Sequence, residues 1–259
     1  MGILVRNNKV ISAGGKILYS RVGNPFELPN LKLYLSATRM VQQADESSVS
    51  SFTDFSGNSY HATQGTSGFQ PKFDLNQFGA NAGIKGDGTD DIMSLSGGAL
   101  DIFRNINQYT VQIAFKRTVL SATNQTVLSF GRNIANSSRF SIEFRDTTNI
   151  RVLCRRLDTD SSVLIDFPSY DLNPHFIQAT LNPVNNTVSV YFDGILVNSG
   201  IITAGNMDNT SSLGASLFSY YTSGSVGFVS INGISINQAY SEPSTIQAQY
   251  RGYLQRGYL

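Results

Sequence analysis

Two short stretches of this 259-residue chain carry enough oxygen donors to hold a hard cation. Asp54 and Asn58 flank Phe55-Ser56-Gly57, and Asp87, Asp90 and Asp91 crowd a single turn. Carboxylate and amide oxygens gathered at turns suit Ca²⁺. The same residue types also bond their own backbone in Asx turns, and Asp-Gly is itself a turn pair. Two expectations therefore stand side by side: a structural calcium ion on Asp54, Asn58, Asp87, Asp90 and Asp91, or turn chemistry with no cofactor. With one cysteine, Cys154, and two histidines, His61 and His175, there is no Cys/His cluster to suggest zinc. No Gly-x-Ser-x-Gly elbow accompanies the histidines. A sugar site needs exposed aromatic rings beside hydroxyl and amide groups. Ser216-Leu217-Phe218-Ser219-Tyr220-Tyr221-Thr222-Ser223 is the best such mixture, with Tyr220 and Tyr221 as the candidate ligand-binding pair.

Strands must position these groups. Val111, Ile113 and Phe115 alternate with Thr110, Gln112 and Lys116, and Phe140, Ile142 and Phe144 alternate with Ser141, Glu143 and Arg145. Val188, Val190 and Phe192, and Ile150, Val152 and Cys154, repeat the pattern. A period of two means one dry and one wet face. Gly14-Gly15, Asp87-Gly88, Asp193-Gly194 and Asn232-Gly233 each sit between such runs and are expected to be hairpin turns. Many short antiparallel strands with one buried face predict an all-β sandwich.

Read in order, Leu31-Lys32-Leu33-Tyr34-Leu35, then Asp54-Phe55-Ser56-Gly57-Asn58-Ser59-Tyr60-His61-Ala62-Thr63, then Asp87-Gly88-Thr89-Asp90-Asp91 and Met93-Ser94-Leu95 form a recognisable series. It resembles the opening of the laminin-G-like, concanavalin A-like lectin sandwiches. His175-Phe176-Ile177-Gln178-Ala179 and Val188 to Gly194 resemble that family's later strand pair, with Phe176 in the place of a tryptophan the chain lacks. The resemblance implies a two-sheet antiparallel jelly-roll sandwich, a fold that hosts lectins, hydrolases, adhesins and virion proteins alike. Hydrolases of this kind commonly carry Glu-x-Asp-x-x-Glu on one strand, so that one carboxylate attacks while another donates a proton. The chain has only Glu27, Glu46, Glu143 and Glu242, none in that spacing. Glu143 and Asp146, three apart, would face opposite sides of a strand, which leaves Glu143 on a solvated face. A non-catalytic protein is expected.

Composition narrows the partners. Charged residues make up 14% of the chain, against roughly 25% in typical soluble domains, and the net charge is only +1. That balance offers no electrostatic footprint for nucleic acid. No stretch is long and apolar enough for membrane insertion, and the residues after Met1 lack the apolar run of a secretory leader, so export by another route is expected. Low surface charge suits a subunit partly covered by neighbours, although secreted β-proteins share it.

Residues 1–30 precede the family pattern and read as a docking hairpin or arm, with residues 31–259 as the jelly-roll domain. The arm is modestly basic through Arg6, Lys9, Lys16 and Arg21. Ser241-Glu242-Pro243 predicts a short helix ending near Gly252. A repeated Arg-Gly-Tyr-Leu tail follows, whose Tyr253, Leu254, Tyr258 and Leu259 are expected, with the basic arm, to contact other subunits. The leading expectation is a multi-copy structural or adhesive subunit of a bacteriophage virion, decorating capsid or tail and able to bind host glycans. The alternative is a free carbohydrate-binding module of a bacterial secreted or surface protein. A glycoside hydrolase is disfavoured.

Overall fold

The computed structural model describes residues 29–255, apart from 41–42, 96, 122, 132–137, 170, 209–213 and 220–226, and the backbone of three short strands nearer the amino terminus. Numbered in chain order, these are β1 (Leu4–Arg6), β2 (Lys9–Ile11) and β3 (Ile17–Tyr19), which form a three-stranded sheet in the order β1-β2-β3. The expected hairpin is thus a three-stranded unit. Its Gly14-Gly15 turn lies outside the described residues.

Two eight-stranded antiparallel sheets form the body. The first contains β4 (Leu31–Ser36), β7 (Lys72–Phe78), β8 (Asn81–Lys85), β10 (Tyr109–Arg117), β15 (Pro174–Asn182), β16 (Thr187–Phe192), β17 (Ile195–Ile201) and β19 (Val229–Asn237). Its order is β17-β16-β15-β10-β19-β8-β7, and β4 shares the β19 edge with β8. The second runs β14-β13-β12-β11-β18-β9-β6-β5. It comprises β5 (Ser51–Phe52), β6 (Ala62–Thr63), β9 (Met93–Leu95), β11 (Gln125–Gly131), β12 (Ser138–Phe144), β13 (Asn149–Cys154), β14 (Val163–Pro168) and β18 (Ala215–Leu217). One helix, α1 (Pro243–Gln255), closes the described chain.

Val111, Ile113, Phe115, Phe140, Ile142, Val188 and Val190 lie between the sheets with no exposed surface, and Phe192 packs at the rim of the same core. Phe103 stacks on Phe140 with ring centres 5.2 Å apart and meets Phe130 and Tyr109 edge-on, geometries that aromatic quadrupoles favour. Cys154 is buried among them, and burial pushes its thiol up to about 12. The two sheets are also tied together by Arg117. Its buried guanidinium donates to the carbonyls of Asp146, Thr147 and Ser169 and lies 4.5 Å from the centre of the Phe144 ring.

The structure corrects two of the four expected hairpins. Asp193-Gly194 does turn β16 into β17, with φ of 50° and 76° as a type I′ turn requires. Asp87-Gly88 instead carries the chain from β8 in one sheet to β9 in the other. A side chain at Gly88 would meet the Phe228 ring at 2.4 Å, so the position needs glycine for space as well as for its φ of 74°. Asn232-Gly233 lies inside β19, where Ala114 pairs with Gly233 and Phe115 with Ile231, leaving Asn232 as the extra residue of a bulge. Its side-chain amide donates to Ala82 O at 2.7 Å and to Thr38 Oγ1 at 3.0 Å.

β13, and β16 as far as Val190, alternate as expected, but the expected wet face of β10 is covered. Thr110, Gln112, Gln178, Thr180 and Ser235 are buried because α1 crosses the outer surface of the first sheet. Gln249 on α1 accepts from the side-chain amides of Gln112 and Gln178 at 2.7 and 2.9 Å. The helix continues past Gly252 to Gln255, and Tyr253, expected to reach another subunit, stacks on Phe176 of its own sandwich with ring centres 4.8 Å apart. Apolar mass at the outer face of β15 gives it a partner within the chain. Leu254, by contrast, is exposed. Glu143 is also not solvated: it is 1% exposed and accepts from Ser141 Oγ at 2.6 Å and from Arg145 at 3.2 Å. Among the described residues no helix is long and apolar enough to cross a membrane.

Candidate functional site

The segment after β4 is organised by Asp54. Its Oδ1 accepts from the backbone N–H groups of Tyr34 and Ser56, each at 2.9 Å. Its Oδ2 accepts from Ser56 Oγ at 2.8 Å and from the Tyr60 N–H at 2.9 Å. An ionised carboxylate has about four lone-pair positions, and here all are taken by protein donors. The Asp54 N–H in turn donates to His61 Nδ1 at 3.0 Å. Asn58 presents its amide nitrogen to Lys32 O at 3.0 Å and to Leu31 O at 3.4 Å, tying the turn back to β4. The Asp-x-Ser-Gly-Asn-x-x-His series is therefore a brace between strand and turn. Asp54, with each lone-pair position engaged by a protein donor, does not fit a cation.

Asp87, Asp90 and Asp91 are brought together, with one oxygen of each lying within 4.8 Å of the others. Asp87 Oδ1 accepts from the N–H groups of Thr89 and Asp90, at 2.8 and 3.3 Å, while Asp91 Oδ2 accepts from the Asp87 N–H at 2.8 Å. Burial raises the Asp91 carboxyl to about 6, with the neighbouring charges of Asp87 and Asp90 adding to the shift and the backbone hydrogen bond from Asp87 opposing it. This trio keeps unused carboxylate oxygens, and of the sequence-predicted metal ligands it is the set whose donors fit a hard cation. It is separate from the Asp54 brace.

The brace has a second consequence. Holding Asp54 inward places the next residue, Phe55, edge-on to Tyr34 with ring centres 6.3 Å apart. Arg39, at the end of the 3-10 turn Ala37–Arg39 that follows β4, lays its guanidinium over both rings, 4.5 Å from the centre of Phe55 and 5.5 Å from that of Tyr34. Beside this stack opens a cleft of about 350 Å³. Gln43, Ser48, Ser50, Ser51 and Thr53 give it amide and hydroxyl groups, and Met40 and Phe55 give it an apolar side. A volume in the range of small-molecule sites, lined by one cation, one aromatic ring and several neutral donors and acceptors, suits a polyhydroxylated ligand. The residue pattern along the chain does not single out this cleft. Phe55 beside the Asp54 motif was the available signal, since an aromatic residue within a polar turn has no core to face.

A third cluster surrounds His175, at the start of β15. Its Nδ1 lies 2.8 Å from Asp193 Oδ2 and its Nε2 lies 2.8 Å from Asp171 Oδ1, while Phe115 and Phe192 flank the ring. Burial alone would lower the imidazole pKa, but hydrogen bonds and charge from Asp193 and Asp171 prevail and raise it. The Asp193 carboxylate also accepts from the Phe176 N–H at 2.8 Å, so the arrangement locks the strand start to the β16–β17 turn.

The remaining predicted site residues are not brought together by the described structure. Tyr220 and Tyr221 lie outside the described residues, as do Lys16, Arg21, Tyr258 and Leu259. Arg6 and Lys9 sit on β1 and β2, and their side chains are likewise outside what is described.

No protein-family model matches the chain, and no curated protein does. Solved structures are similar to it. The IT-sialidase CBM40 of Ruminococcus gnavus, bound to α2,3-sialyllactose, is 20% identical, with a TM-score of 0.53 over 64% of this chain and 94% of that one. The botulinum neurotoxin serotype G binding domain is 16% identical, with a TM-score of 0.62 over 86% of this chain and 50% of that one. The Trypanosoma rangeli sialidase is 14% identical, with a TM-score of 0.60, covering 87% of this chain and 33% of that one. The chain thus spans nearly all of the CBM40 but about half of the toxin domain. At such identities the likeness is one of fold, that of a two-sheet antiparallel β-sandwich.

Proposed function

We propose that this chain is a non-catalytic glycan-binding sandwich and that its ligand occupies the cleft beside Arg39 and Phe55. The observation carrying this reading is the lining: an aromatic ring next to five neutral hydroxyl or amide side chains, without a carboxylate among them to serve as nucleophile or acid. A likeness in fold to a CBM40 solved with sialyllactose and to a botulinum neurotoxin binding domain solved in complex with SialylT supports the same class. The test is a glycan array followed by calorimetry. Phe55→Ala should weaken every glycan bound by the intact chain by about tenfold, which corresponds to about 1.4 kcal/mol. Release of oligosaccharides from a bound glycan on long incubation would overturn the non-catalytic half of the proposal, and full affinity in Phe55→Ala would overturn the choice of cleft.

A second reading concerns place. Among the described residues the strands β1 to β3 form a sheet of their own, which supports their role as an appended docking unit. On that reading the sandwich is carried by a larger assembly, a phage virion being the leading candidate, and presents its glycan site outward. Deleting residues 1–26 should then abolish incorporation into particles while leaving glycan affinity intact. Normal incorporation of the truncated chain would remove this reading.

A further inference from the structure

We infer that the cleft selects sugars bearing a carboxylate, with Arg39 as the group that reads it. This rests on the glycan-binding reading above and narrows it to a chemical class.

The inference starts from how the Arg39 guanidinium is used. Its flat face is taken by Phe55 and, at greater distance, by Tyr34. A guanidinium carries its five N–H donors in its own plane, so a ring on its face leaves the in-plane fork available. The stack also limits the side chain's freedom, and less entropy is lost when a ligand is gripped. Among the described residues, no carboxylate lies within ion-pair distance of Arg39. Asp54 is the acidic residue nearest in sequence to Phe55, and all four of its lone-pair positions are occupied by Tyr34, Ser56 and Tyr60 donors. Asp45, two residues beyond Gln43, accepts from the Leu75 N–H at 2.9 Å, and Glu46 faces Lys85 at 3.9 Å. The neighbouring acids are therefore engaged elsewhere.

What lines the cleft beyond Arg39 is uncharged. Gln43, Ser48, Ser50, Ser51 and Thr53 can meet hydroxyl groups but cannot balance a cation. A neutral sugar would leave the fork paired only with water. A carboxylate would take two parallel N–H···O bonds, a charge-assisted geometry that guanidinium groups favour. Phe55 and Met40 offer an apolar surface for the C–H face of the same ring. Two oxygens of a tetrahedral oxyanion can also span the fork; the class assigned is carboxylated sugars, of which a sialic acid and a hexuronic acid are two sources, and a sulfated sugar is the competing arm of the test.

The experiment uses the full chain and calorimetry at low and at physiological salt. The probes are α2,3-sialyllactose, lactose, which lacks only the acidic sugar, a hexuronate-bearing disaccharide and a sulfated lactose. At least one carboxylated probe should bind tenfold or more tighter than lactose, and its affinity should fall as salt rises, because the partly exposed charge pair is screened. Arg39→Gln should reduce that probe to the lactose level. Arg39→Lys, which keeps the charge but not the fork, should fall between. Circular dichroism melts of both variants check folding, and the exposed Arg39 should tolerate either change. Unchanged affinity in Arg39→Gln, equal binding of lactose, or a preference for the sulfate ester would each overturn the carboxylate inference while leaving glycan binding in place. Absence of binding to any glycan would bring down the underlying reading and this inference with it.

Discussion

The imidazole Nδ1 of His175 lies 2.8 Å from Asp193 Oδ2, at the β16–β17 turn. With Asp171 on its other nitrogen, the folded state favours the charged ring and its pKa is raised. The sign follows from linkage: a pKa raised on folding contributes stability that is fully present below the unfolded value, about 6.5, and is lost as pH rises through the folded value. The melting temperature should therefore fall as pH rises above about 6.5. His175→Gln should be less stable at pH 6 and should lose most of that pH dependence. An unchanged pH profile in the variant would show that other groups set the slope.

Asp91 provides a second test with its own window. Its carboxyl, raised from 3.8 to about 6 chiefly by burial, favours the protonated form on folding, so its contribution is present below pH 3.8 and lost by about pH 6. Asp91→Asn keeps an oxygen to accept from the Asp87 N–H and removes a buried charge. At pH 7 in the presence of chelator it should melt at or above the temperature of the wild type. Millimolar calcium reads the metal expectation directly: ligation by the Asp87, Asp90 and Asp91 trio requires a rise in wild-type melting temperature that Asp91→Asn does not share.

Asp54→Ala removes four accepted hydrogen bonds at once, among them the one from the buried Tyr34 N–H. A loss of about 2–4 kcal/mol is expected, since each orphaned buried donor costs about 1–3 kcal/mol. Chemical denaturation measures it. Glycan affinity should fall as well, because Phe55 loses its anchor. A variant of wild-type stability would mean that water replaces the brace.

Tyr253→Ala deletes a fully buried ring that stacks on Phe176. Large-to-small changes of this kind cost about 3–5 kcal/mol. Truncation after Tyr250 should behave similarly, as a stability defect of the isolated chain. If truncation left the melting temperature unchanged and altered only the oligomeric mass, the tail's role would be intermolecular after all.

Much of the sandwich is legible along the chain because a strand's period of two writes its buried face into every second residue. Val111, Ile113 and Phe115 needed no tertiary information to be placed in the core. The Asp193-Gly194 turn was legible for a similar local reason, since two successive positive φ angles favour few residue pairs. Asn232-Gly233 carries the same local signal, yet pairing with β10 and β4 on both sides overrode it and made a bulge. Asp87-Gly88 shows the limit of turn chemistry: it marks a reversal but cannot say to which sheet the chain returns.

The site divides along the same line. Sequence alone determined the sandwich class, the lack of paired carboxylates and the two acidic turns, because each depends on residue type or on neighbours a few positions apart. Tertiary structure decided what those residues do. Asp54 became a brace rather than a cation ligand only when the Tyr34 N–H of β4 came within 2.9 Å. Arg39 and Phe55, sixteen positions apart, became a stacked pair because β4 and the Asp54 turn are tied side by side. Glu143 and Gln112 alternate like solvated residues yet are buried, the latter beneath α1. Alternation records which way a side chain points. It does not record what the rest of the chain later lays over it.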